Sequence, residues 1–197
     1  MEISKILVRN MVTKKEQIRN EFKSTRKKLS KQIVDNNSFE ICNNILNSKL
    51  YHNCNNILVY SSIQNEIYLN ILIEKALTDN KNIYFPRVDG ESMEFYKVEC
   101  LNNLSKGSFE ILEPTSSENY KDAANSIILV PGIAFSENGA RIGFGKGYYD
   151  KYLSCHTFLY KIGVAHDWQI TDNWEINEFD INMNMIITEK REVIIYE

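Results

Sequence analysis

The stretch PGIAFSENGARIGFGKGYYDKYL, residues Pro131–Leu153, decides how this chain is read. Five of the eight glycines (Gly132, Gly139, Gly143, Gly145 and Gly147) fall in sixteen residues, interleaved with Arg141, Lys146, Tyr148, Tyr149 and Asp150. Glycine lets a backbone come close to a ligand and adopt positive φ, and successive bare N–H groups can cradle phosphate oxygens. The apolar run Ile127–Val130 precedes the loop, and Gly147–Leu153 reads as the start of a helix. A strand, a basic glycine-rich turn and a helix start make a phosphate-site layout; the plain alternative is a flexible surface loop. The loop does not match the Walker A string, and Gly143–Tyr148 reads G-x-G-x-G rather than the dinucleotide G-x-G-x-x-G.

Upstream, Thr13-Lys14-Lys15-Glu16 has a capping-box pattern, and Ile18, Phe22 and Leu29 recur at helical spacing. Lys14–Lys31 holds eight basic and two acidic residues, although the chain's net charge is −3. Lys14 and Lys15 sit in a first turn whose dipole disfavours positive charge, which suggests a task such as meeting an anion; a solvated basic face is the alternative. Arg26, Lys27 and Lys28 lie where the dipole favours them and need no other explanation.

Ser30 is expected to cap a second helix, with Ile33, Ile41, Ile45 and Leu46 as core positions. Ile57–Tyr60 reads as a buried strand, and Glu66 as the opening of a third helix with Ile67, Ile71, Leu72 and Ala76 inward. Ile83–Phe85 is a strand stopped by Pro86, and Met93–Val98 alternates as another. Leu101–Ile111 resists assignment apart from a turn at Gly107-Ser108. Thr115–Asn125 is a polar loop, Tyr160–Ala165 a strand, and Thr171–Phe179 helical or irregular. Met185–Thr188 and Val193–Tyr196 pair as a hairpin across Glu189-Lys190-Arg191. Strands alternating with helices imply an α/β three-layer sandwich with a mostly parallel central sheet, in one domain over 13–197. Residues 1–12 form an extension whose order the sequence leaves open. In open sheets of this kind ligands bind beyond the strands' carboxyl ends, where Ser61–Glu66 lies. Glu66 reads locally as a favourable first-turn acid, with a ligand contact as the alternative.

The net negative charge argues against a general nucleic-acid binder. No segment is long and apolar enough to span a bilayer, and a signal peptide is not expected. The scattered Cys42, Cys54, Cys100 and Cys155 lack metal or redox spacing and suit a reducing compartment, so a cytoplasmic protein is expected. His52, His156 and His166 read as surface or satisfied core residues.

The string Val130–Leu153 resembles the motif of the 5-formyltetrahydrofolate cyclo-ligases, also called methenyltetrahydrofolate synthetases. The likeness extends to Lys15-Glu16-Gln17-Ile18-Arg19, to VYSSIQNEI at 59–67, to Phe85–Arg87, to Glu113-Pro114 and to Glu178-Phe179-Asp180. It implies ATP- and Mg²⁺-dependent cyclisation of 5-formyltetrahydrofolate, with or without a polyglutamate tail, to 5,10-methenyltetrahydrofolate, releasing ADP and phosphate. Lys15 and Arg19 match ATP-binding positions, as do Arg141, Ile142, Gly143, Phe144, Gly145, Lys146, Gly147, Tyr148 and Tyr149, with Lys146 and Arg141 in the catalytic role. Ser61, Glu66, Tyr148 and Tyr149 match substrate positions, and Asp150 and Asp180 match the metal positions. Phe144 and Phe179 depart from the family pattern: some members carry Arg at the first, and many carry His or Asn at the second. A monomer is the default expectation. A ligand-sensing module without turnover, or an isomerase or transferase on a related architecture, are the rival readings.

Overall fold

The computed structural model describes residues 13–107, 111–121, 123–157, 159–175 and 180–195. The 1–12 extension, Ser108, Glu178, Phe179 and Tyr196 therefore lie outside the described residues. Helix α1 (Lys14–Lys27) starts where the capping pattern predicts, with Thr13 Oγ1 accepting from the Glu16 N–H at 3.3 Å. Helix α2 (Lys31–Asn47) is capped by Ser30, and a one-turn helix α3 (Lys49–Asn53) follows, capped by Ser48 and not anticipated from sequence.

Seven strands form the central sheet: β1 (Asn56–Leu58), β2 (Asn82–Asp89), β3 (Ser92–Val98), β6 (Ser126–Pro131), β9 (Leu159–Val164), β10 (Met185–Ile187) and β11 (Glu192–Ile194). Their spatial order is β11-β10-β9-β6-β1-β2-β3. The five inner strands are parallel, and β3 and β11 close the two edges as antiparallel hairpin partners. Two small ribbons lie outside it: β4 (Leu104–Lys106) with β5 (Leu112–Pro114), and β7 (Ala134–Phe135) with β8 (Arg141–Ile142). Leu101–Ile111 thus contains a 3-10 turn at Leu101–Asn103 and an edge strand.

Both sheet faces are covered, which gives the predicted three layers. Ile57, Val59, Ile127 and Leu129 pack with Ile41, Ile45, Leu72 and Ala76, the last two from helix α4 (Asn70–Thr78). The alternate residues Leu58, Ile128 and Val130 pack on the other side with Phe95, Phe135 and the Tyr152 and Leu153 of helix α5 (Tyr148–Cys155). This period-two partition of continuous apolar runs is what parallel strands covered on both faces require.

Several expectations are corrected. Pro86 does not stop its strand: β2 continues to Asp89. The Tyr84 carbonyl accepts from Val59 N–H, so two residues on, the Pro86 nitrogen points to the same side, past the end of β1, where no ladder donor is needed. Glu66 does not open a helix, because Gln64 and Asn65 adopt positive φ (48° and 61°) and turn the chain; α4 begins only at Asn70. Ile33 and Ile71 are 46% and 43% exposed, while Val34 and Ile73 are buried in their helices. Residues 171–175 hold no helix, and 176–179 lie outside the described residues.

Phe135 fastens the β7–β8 ribbon to the sheet. Its ring lies over Gly132 and Gly163, where an added Cβ would meet ring carbons at 2.5 and 2.6 Å. Only glycine permits that approach. Phe135→Ala should therefore lower unfolding free energy by about 3–5 kcal/mol, measured as a shift of the urea midpoint. A loss under about 1 kcal/mol would show that the ribbon is held otherwise.

Candidate functional site

Between β1 and β6 the chain's direction of travel reverses. β1 leads through α4 to β2 on one side, and β6 leads through α5 to β9 on the other. Segments leaving the carboxyl ends of such strands diverge and open a crevice. The crevice here is a cleft of about 750 Å³. It is bounded by α1, the loop after β1, β2–β3, and the loop from Pro131 into α5.

Helix α1 contributes two of the four cations that line the cleft, Lys15 and Arg19. Lys15, Arg19, Phe22 and Arg26 follow the i, i+4, i+7, i+11 spacing of one helix stripe. Ile18 beside it is buried against Ile133, Ala134 and Ile142 of the ribbon, and Phe22 meets Trp168 at 5.4 Å between ring centroids. That packing sets the cations over the loop. Lys15 Nζ pairs with Asp180 at 2.5 Å, and Arg19 Nε donates to the Gly143 carbonyl at 3.0 Å.

The glycine loop forms the adjoining wall. At Gly143 a Cβ would meet Arg141 Nη1 at 2.5 Å, so any side chain would displace the guanidinium. Gly147 caps α5 at φ +71°, left-handed backbone that favours glycine. Arg141 is buried, donates to Asp150 Oδ1 at 3.0 Å and lies 5.4 Å from the Tyr149 ring centroid. Lys146 is exposed at the cleft and forms no ion pair with an acid among the described residues. Phe144 is 38% exposed, with Lys23 Nζ 4.9 Å and the Arg26 guanidinium 5.5 Å from its ring centroid. Tyr148 anchors the start of α5 by donating to the Gly90 carbonyl at 3.1 Å.

Glu66 lies on the deep side. Its carboxylate accepts from Arg26 Nη1 at 3.3 Å and from the Ile63 N–H at 3.0 Å. Burial pushes its pKa up to about 7, against the opposing pull of Arg26. Burial also raises the neighbouring phenols of Tyr60 and Tyr149, and the Glu66 charge adds to this. Ser61 Oγ donates to the Leu112 carbonyl at 2.5 Å at the same edge.

The cleft thus brings together Lys15, Arg19, Ser61, Glu66, Arg141, Gly143, Phe144, Gly145, Lys146, Gly147, Tyr148, Tyr149, Asp150 and Asp180, all of them residues singled out in the sequence. Ile142 is absent from the cleft lining: β8 alternates, and its side chain is buried beneath the ribbon. Arg26 is the residue that sequence reasoning missed. It was assigned to the helix dipole, yet it is 2% exposed and paired inward. Its place seven residues after Arg19 on the cation stripe was the available signal. Glu113 is likewise buried at the cleft, with Oε1 3.5 Å from the Val88 N–H. Its Glu-Pro pairing carried no chemical signal by itself. His166 is a satisfied core histidine, meeting Asn37 and the Asn65 carbonyl, each at 3.0 Å.

No group of three or more His, Cys, Asp or Glu that could hold a metal is found among the described residues. Asp150 and Asp180 supply two separate carboxylates on the cleft wall. Mg²⁺ is commonly held by one or two carboxylates together with water and substrate phosphate, so this donor set fits that ion.

Residues 11–189 match the 5-formyltetrahydrofolate cyclo-ligase family. A probable 5-formyltetrahydrofolate cyclo-ligase of Schizosaccharomyces pombe is 30% identical, with 92% of this chain and 98% of that protein covered. One from Caenorhabditis elegans is also 30% identical, over 91% and 95%. Among solved structures, the 5,10-methenyltetrahydrofolate synthetase of Aquifex aeolicus superposes with a TM-score of 0.83 at 29% identity, covering 93% of each chain.

The Glu66 environment has a measurable consequence. The group ionises near 4.5 when unfolded and about 7 when folded, so its contribution to stability is complete below the first value and lost as pH rises through the second. Glu66→Gln removes this titration. The stability of wild type relative to the variant should fall by up to about 3 kcal/mol between about pH 4.5 and 7.5, then stay level. Urea unfolding of both proteins across that range checks it, and a difference independent of pH would refute it.

Proposed function

This chain belongs to the 5-formyltetrahydrofolate cyclo-ligase family, and from that premise we propose that it closes 5-formyltetrahydrofolate to 5,10-methenyltetrahydrofolate with ATP and Mg²⁺. One observation carries the reading: the cations of α1 and the glycine loop share a single cleft with the buried Glu66 carboxylate. A cationic, glycine-rich wall suited to phosphate and a hydrogen-bonding wall therefore face one continuous space.

The chemistry follows from the poor leaving ability of a formyl oxygen. Transfer of the γ-phosphoryl group to that oxygen forms an O–P bond, breaks the bond to ADP and yields an imidate-like phosphate. N10 then attacks the formyl carbon and gives up its proton, and inorganic phosphate departs with the oxygen. Lys146 and Arg141 act on the phosphoryl charge, where preorganised donors are most effective. Lys15, Arg19 and the loop glycines hold the rest of the triphosphate. Asp150 and Asp180 would hold Mg²⁺, which supplies charge neutralisation to the phosphates when bound. Ionised Glu66 accepts from the N–H edge of the pterin, and Tyr148 and Tyr149 pack near its flat ring. All four cysteines are free thiols, which supports a reducing compartment and hence the cytoplasm.

Purified protein should raise the near-ultraviolet absorbance of the methenyl product from 5-formyltetrahydrofolate only when ATP and Mg²⁺ are both present, and chelation should stop the rise. An unchanged spectrum at saturating substrates would refute the reaction. Lys146→Ala should lower kcat by roughly 10²–10³-fold, the scale of losing a charge-stabilising donor. Because the side chain is exposed, its unfolding free energy should move by no more than about 0.5 kcal/mol. An unchanged kcat would remove Lys146 from the mechanism.

A further inference from the structure

We propose that Arg26 is a positioning residue: through a buried ion pair it aims the Glu66 carboxylate and favours its ionised form, as the acceptor that selects the N–H edge of the folate. This rests on the proposed reading of the cleft and adds to it a residue that does not itself line the cavity.

Two residues of one loop are docked on the same helix end. Asn65 Nδ2 donates to the Arg26 and Leu29 carbonyls at 3.1 and 3.2 Å, which ties the loop to the main chain at the α1 terminus. Next to it, the Glu66 carboxylate takes Arg26 Nη1, which also lies 3.4 Å from the Gly132 carbonyl. The Asn65 carbonyl is held in turn by His166 Nε2. Arg26 thereby links the loop after β1 to the segment after β6, the two sides of the crevice.

The chemistry requires such a link. Glu66 and Arg26 are 5% and 2% exposed. A carboxylate that deep takes up a proton unless a charge opposes it, and a protonated carboxyl would offer a donor where an acceptor is needed. Arg26 is the cation in contact with it. The other ionisable groups around Glu66 are the phenols of Tyr60 and Tyr149, and those near Arg26 are Lys23 and His166. Burial keeps both phenols protonated and His166 neutral, so Glu66 is the member of this group that changes charge near neutral pH.

The test is calorimetric binding of 5-formyltetrahydrofolate and, separately, of ATP to the full chain between about pH 6.5 and 9, with circular dichroism to confirm folding. Arg26→Met should weaken folate binding about tenfold or more at neutral pH, leave ATP within about twofold, and recover folate affinity as pH rises. Arg26→Lys, which keeps the charge, should fall between wild type and Arg26→Met. In a Glu66→Gln background, adding Arg26→Met leaves neither buried partner as a lone charge and should change folate affinity by less than about twofold, because Arg26 acts only through Glu66. If Arg26→Met does not fold, the double variant and Arg26→Lys decide the matter. Equal weakening toward both ligands, an unshifted pH profile, or a further tenfold loss in the Glu66→Gln background would overturn the proposal. Wild type that binds folate without turnover refutes the proposed reaction alone, whereas wild type that binds no folate refutes both.

Discussion

The site depends on one apolar contact. Ile18 is buried against Ile133, Ala134 and Ile142, and this seats α1 on the ribbon that carries the glycine loop. Lys15, Arg19 and Arg26 reach Asp180, Gly143 and Glu66 only because the helix is held there. Solvated lysine and arginine have little reason to approach one another across a cleft. Apolar burial, worth about 25 cal/mol per Å², supplies the attachment, and the ionic contacts then fix its register. The ribbon is secured by the Phe135 ring over Gly132 and Gly163, so a chain of packing runs from the central sheet to the cations.

Charge in the cleft is arranged in pairs. Lys15 with Asp180 and Arg141 with Asp150 place opposite charges at 2.5 and 3.0 Å, so the acids proposed to hold the metal already sit beside the cations proposed to hold phosphate. In the proposed reaction, incoming phosphate and metal would exchange these partners without leaving a bare charge in the protein. The Arg26–Glu66 pair differs because it is nearly sealed from water. Desolvating two charges is expensive, and a buried pair often contributes little net stability. Its place beside the cleft suits a group retained for recognition.

Much of the fold was legible because its signals are local. Thr13 and Ser30 cap their helices through their own hydroxyls, and Ile127–Val130 is apolar on both sides as a covered parallel strand must be. The exceptions have tertiary causes. Pro86 is tolerated because β1 ends early, and the exposure of Ile33 and Ile71 depends on where the sheet lies against each helix. The left-handed turn at Gln64-Asn65 is held by contacts with α1 that are remote in sequence.

The same division applies to the function. The sequence by itself determined the chemistry on offer: a glycine-rich loop after a buried strand, cations at Lys15, Arg19, Arg141 and Lys146, and carboxylates at Asp150 and Asp180. Spacing and residue type carry that information because backbone freedom and charge are properties of the residues themselves. The tertiary structure alone decided that Ile142 turns beneath the ribbon, and that Glu66 is a buried acceptor and not a helix-opening acid. It also decided that Arg26, which looked like a surface cation at a helix end, faces inward to hold it. Burial and pairing depend on neighbours forty or more positions away, and no local pattern encodes the distance between them.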